Sequence, residues 1–157
     1  MRATQAQLKR YVVDLATRLW TMGADLDAEP YLVPDERGAL VFEITASLPD
    51  SGVPDRALLS VSERWSVVGR EFERTEYAYD LVDHPRHRRR AYHLHDADRF
   101  VAAFDVAVHE HCEERLGQPT CDHYAGDPVS DAYRGIDLLM LAWTGEPLGC
   151  DQLRCLD

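Results

Sequence analysis

All seven histidines of this 157-residue chain fall between His84 and His123. Four of them form two His-x-His pairs, His93-Leu-His95 and His109-Glu-His111, and a basic run, Arg86-His87-Arg88-Arg89-Arg90, lies just before the first pair. Histidine titrates near neutrality, shuttles protons and binds transition metals, so such crowding marks where chemistry should be sought. A neutral imidazole can take the proton of a ribose 2′-hydroxyl, and an imidazolium can protonate the leaving oxygen. Arginine stabilises charge gathering on phosphate. The set therefore suits metal-independent RNA cleavage: His109 and His111 as acid–base groups, His93 or His95 as partner, and Arg90 on phosphate. Glu110 or Glu113 can orient a histidine. Such a reaction requires no cofactor.

Zinc is the competing chemistry. Cys112, Cys121 and His123 offer ligands, and Cys150 or Cys155 can return as a fourth, because closed structural zinc sites take four such groups. No Cys-x-x-Cys pair is present. On this reading the chain is a non-catalytic, zinc-stabilised domain that binds a protein partner. A third reading makes the His-x-His pairs the metal ligands of an enzyme, although no carboxylate–histidine spacing typical of such sites stands out. The plainest reading makes the pairs surface histidines, the arginine run a solvated turn and Cys112 a small buried hydrophobe.

The elements that position these residues follow from periodicity. Residues 4–22 read as a helix capped by Thr4, with Leu8, Tyr11, Val12, Leu15, Leu19 and Met22 at helical spacing and Gly23 as the stop. Residues 24–37 read as an acidic, proline-bearing loop, briefly extended near Tyr31-Leu-Val33. Strands are expected over 39–47, 57–68, 72–82 and 88–95, the last two joined by a turn at Asp83-His84-Pro85-Arg86-His87. A short helix is expected over 97–104, with Asp96 as N-cap, and a second amphipathic helix from 129 or 130 to 143, with Tyr133, Ile136, Leu139, Met140 and Trp143 on one face. Segment 106–112 fits a strand or the continuation of a helix, and the strand is preferred.

Parity along the strands then sorts the candidates. His93 and His95 share a face with Ala91, opposite Tyr92 and Leu94. His109 and His111 share a face with Ala107, opposite Val106, Val108 and Cys112. The valine, leucine and tyrosine side is the natural core face, which leaves the histidines on a wetter one. In a strand Cys112 cannot join His109 and His111 on one ion; in a helix His109 and Cys112 stand at i, i+3 and can. His84 and His87 read as turn residues.

Composition bounds the rest. The length and a 45% hydrophobic content suit a single globular domain with a real core. The fold class expected is α+β: an antiparallel sheet of about four to five strands against an N-terminal and a C-terminal helix. Net charge is −11, which argues against a general nucleic-acid binder while leaving room for a local basic patch at 86–90. No window approaches the ~20 apolar residues that span a bilayer, so no membrane partner is expected. The charged, amphipathic N-terminus does not look like a signal peptide, so a cytoplasmic location and reduced cysteines are expected.

The order Tyr77-Ala-Tyr79, a turn, Arg90-Ala-Tyr-His93-Leu-His95-Asp96, then Val108-His109-Glu-His111, a loop and a closing amphipathic helix resembles small toxins of the TumE family. The resemblance covers roughly residues 60–143 and leaves out the N-terminal helix, the 24–58 region and the cysteine-bearing tail. It implies the toxin of a toxin–antitoxin pair, acting on RNA and neutralised by a cognate antitoxin protein. The positions it carries over are Arg90, His93, His95, His109 and His111.

Overall fold

The computed structural model describes residues 1–49, 56–95, 98–104, 107–118 and 127–144. Helix α1, Gln5–Thr21, starts where expected. The Thr4 side chain accepts from the Gln7 backbone, while the Gln7 side chain accepts from the Thr4 N–H, a reciprocal cap that satisfies donors the first turn cannot. Met22 ends the helix and Gly23 follows in the left-handed region, at φ +83°. Its buried stripe is Leu8, Tyr11, Val12, Leu15, Ala16 and Leu19.

The sheet consists of β1 (Arg2–Ala3), β2 (Asp25–Leu26), β3 (Val33–Pro34), β4 (Leu40–Leu48), β5 (Ala57–Val68), β6 (Glu71–Asp83), β7 (Arg88–Leu94) and β8 (Val108–Glu113). All pairings are antiparallel, in the order β2-β4-β5-β6-β7-β8, with β1 beside β6 and β3 beside β4. The fold is α+β as expected, but the sheet holds eight strands among the described residues, not four to five. The three extra pairings are two-residue strands, β1, β2 and β3, too short for alternation to announce them. Helix α2, Asp98–Phe104, follows β7, and α3, Ala132–Thr144, closes the described chain.

One sheet face carries the core. Phe42, Ile44, Ala46 and Leu48 of β4, Leu59, Val61 and Trp65 of β5, and Tyr77, Tyr79 and Leu81 of β6 pack under α1 and α3. Gly135 of α3 lies directly on the Tyr79 ring: a Cβ there would stand 2.3 Å from Tyr79 Cδ2. Only glycine permits that approach. Under the same helix lies a buried polar knot. The Glu63 carboxylate accepts from Tyr11 Oη, Tyr79 Oη, Trp65 Nε1 and Arg74 Nη1. Tyr11 Oη and Tyr77 Oη in turn accept the Ala132 and Val129 N–H groups, at 2.8 Å each. Burial, then the nearby Glu63 charge, pushes the Tyr11 and Tyr79 hydroxyls well above the usual phenol range, which keeps both as donors.

Segment 108–113 is a strand, paired with β7 from Leu94↔Val108 to Arg89↔Glu113. That settles the strand-or-helix alternative.

Candidate functional site

The histidine pairs meet because β7 and β8 are neighbours in the sheet. His93 stands opposite His109, and Ala91 opposite His111. Alternation puts His93, His109 and His111 on the sheet face away from α1 and α3, since their strand neighbours Tyr92 and Leu94 pack against the core. Ring centres are 5.2 Å apart for His93–His109, 4.8 Å for His93–His111 and 4.9 Å for His109–His111. One ring nitrogen from each of the three lies within 4.8 Å of the others. His95, just past the end of β7, is 5.4 Å from His93 and 5.3 Å from His109 between ring centres. Its main-chain N–H donates to Ala107 O at 2.9 Å, which ties it to the approach of β8.

This face is drier than parity alone suggests. His109 is buried, at 1% exposure, and the His93 side chain keeps 13%. Burial first, then the neighbouring imidazoles and Arg89, pushes His93 from 6.5 down to about 2. Burial, then the Arg99 charge, also lowers His95. Both effects disfavour the imidazolium form. His93 Nε2 makes no hydrogen bond among the described residues; the Asp80 carboxylate stands 3.9 Å away.

Asp80 and Arg89 also border His93, and the histidine pattern alone does not point to them. Arg89 donates through Nε and Nη2 to both Asp80 oxygens, and Nη1 reaches Glu113 Oε1 at 3.1 Å. Arg89 was accessible from parity, because it alternates with Ala91 and His93. Asp80 required the hairpin register, Asp80↔Ala91, which no local pattern supplies.

Arg90 does not join the histidines. It points to the other sheet face, where its guanidinium pairs with Glu110 and donates to Cys112 Sγ at 2.9 Å. The rest of the basic run is likewise engaged. Asp83, wholly buried, takes Arg86 at 2.9 Å and Arg88 at 3.0 Å, and Arg88 also donates to Trp143 O. The run is thus a set of ion pairs folded into the sheet end. His84 and His87 lie in the β6–β7 turn, as expected, with His87 at φ +54°.

Of the expected zinc ligands, Cys112 is buried on the face opposite the histidines, beside Arg90. Cys121 and His123 lie outside the described residues, as do Cys150 and Cys155. No helix among the described residues is long and apolar enough to cross a membrane. No protein-family model matches the chain, and no curated protein or solved structure matches it. The fold and the site therefore define a class only: an α+β sheet protein with a partly buried imidazole cluster between two adjacent strands.

Proposed function

We propose that this protein is a transition-metal-binding protein that holds one ion of the zinc class at His93, His109 and His111. The observation that carries this reading is the convergence of three ring nitrogens within 4.8 Å around the buried His109. Neutral imidazole is the form that binds metal, and it suits zinc, copper, iron and nickel. His93 is held neutral throughout the physiological range, so protons do not compete for it. The Asp80 carboxylate, itself fixed by Arg89, stands 3.9 Å from His93 Nε2, on the side where the outer partner of a metal-bound histidine ordinarily lies.

RNA cleavage by a histidine pair draws less support. It needs one imidazole to carry a proton, which burial opposes at His93, and it needs a free arginine, whereas Arg86, Arg88, Arg89 and Arg90 are all ion-paired.

The test is zinc titration of the chelator-treated full chain by calorimetry. One equivalent is expected to bind, and His109→Ala is expected to abolish binding. Zinc at ~1,000-fold above Kd adds about 4 kcal/mol to stability, a readily measured rise in melting temperature. Zinc binding that survives His109→Ala but disappears in Cys121→Ala would transfer the site to the cysteines and refute the proposal. So would failure of the wild type to bind.

A further inference from the structure

We infer that His95 is a fourth ligand, so that the ion is enclosed by four imidazoles, two from each side of the β7–β8 pairing. The inference rests on the metal-binding reading above and says what kind of centre it is. The four rings form two triangles sharing the His93–His109 edge of 5.2 Å. His111 lies 4.8 and 4.9 Å from the two ends of that edge, and His95 lies 5.4 and 5.3 Å from them. With zinc–nitrogen bonds of about 2.0–2.1 Å, four imidazoles arranged tetrahedrally have ring centres roughly 5 Å apart. These five separations match that spacing; His95 stands outside the three whose ring nitrogens already converge within 4.8 Å, and joins them by turning its ring toward the ion. The His95 N–H donates to Ala107 O, which holds its main chain beside the start of β8.

The consequence is chemical. Catalytic zinc keeps an open position for water or substrate, whereas structural zinc is closed by four protein ligands. A four-imidazole shell leaves no exchangeable position. The ion then acts as a staple between β7 and β8, with the Asp80 carboxylate, 3.9 Å from His93 Nε2, offsetting part of its charge.

The test uses the full chain loaded with cobalt(II), whose visible spectrum reports coordination, and azide as a probe of an open position. The wild type is expected to give a tetrahedral spectrum that azide leaves unchanged. His95→Ala is expected to weaken zinc binding tenfold or more and to give a cobalt spectrum that azide shifts. A wild-type spectrum that shifts with azide would overturn the inference and leave the three-histidine centre standing, without recourse to any variant. Equal zinc affinity and spectra in wild type and His95→Ala would overturn it in the same way. Failure of the wild type to take up either metal would overturn the proposed function itself.

Discussion

The clustered imidazoles make the metal-free protein sensitive to mild acid, and the size of the effect can be worked out for His93. Its folded-state proton affinity lies far below the ordinary value of 6.5, at about 2, chiefly through burial. Between pH 7.5 and pH 5 the folded protein therefore leaves His93 neutral, while the unfolded chain protonates it below about 6.5. The unfolded state binds the extra proton, so stability falls as the pH falls, by up to ~1.4 kcal/mol per unit. From pH 7.5 to 5.0 the loss from this side chain is about 2 kcal/mol, and it continues to grow toward the folded-state value. Urea unfolding in the presence of chelator, at pH 7.5, 6.5, 5.5 and 5.0, measures it. The informative quantity is the difference between wild type and His93→Gln, because carboxylates add their own slope to both. The variant is expected to lose about 2 kcal/mol less than the wild type over that interval. Parallel stability curves would refute the claim that His93 is buried and neutral in the fold.

Three further outcomes concern the helix-covered face. Gly135→Ala puts a Cβ 2.3 Å from Tyr79 Cδ2, and Tyr79 is fully buried and stacked on Tyr77, so α3 must lift; about 3 kcal/mol of destabilisation is expected in thermal or urea unfolding. Tyr77→Phe removes the acceptor of the Val129 N–H just before α3, which should cost about 1–3 kcal/mol and speed hydrogen exchange at Val129. Glu63→Ala leaves the buried Arg74 guanidinium without its carboxylate, which should cost about 3–5 kcal/mol; replacing both partners, Glu63→Leu with Arg74→Met, should cost less than the single change, and a larger cost for the pair would refute the ion-pair account.

How much of this was legible in the chain depends on the range of the interaction that decides each feature. The α1 cap, the α3 face and the β4 to β7 alternation are local, and the residue pattern shows them directly. It also shows the shared face of the two His-x-His pairs, once strand parity is assumed for 108–113. It does not show the dryness of that face, because alternation reports which side a residue takes and not what covers it. Arg90 lies apart from the histidines for a different reason. Its charge made it attractive for phosphate, while its parity, shared with Tyr92, already put it with the core side. Arg74 shows the limit of parity itself. The β5–β6 register slips between Arg64 and Trp65, leaving Thr75 extra on β6, and this brings Arg74 opposite Trp65 on the core face. Simple alternation from Tyr77 would have sent Arg74 the other way.

The two halves of the sheet are held by different physics, and this bears on why an ion would matter. Strands β4, β5 and β6 lie within the apolar core, whereas among the described residues β7 adds Tyr92 and Leu94 to its margin, and β8 buries Cys112 outside that cluster. Among the described residues, β8 is held by its ladder to β7, the Arg89–Glu113 and Arg90–Glu110 ion pairs, and the imidazole cluster. Exposed ion pairs contribute little, and buried ones often no more than their desolvation costs. Segments with few buried apolar contacts open below the global unfolding free energy. In the metal-free protein the β8 amides are therefore expected to exchange through local opening, faster than those of β5 and β6. Zinc liganded from both strands binds only the closed form, so it should slow β8 exchange in proportion to 1 + [Zn]/Kd, with β4 and β5 protection changing least. Hydrogen exchange with and without zinc measures both. Uniform protection across β5 to β8 without metal, or zinc protection spread evenly over the sheet, would refute the assignment of β8 as the edge that the ion secures.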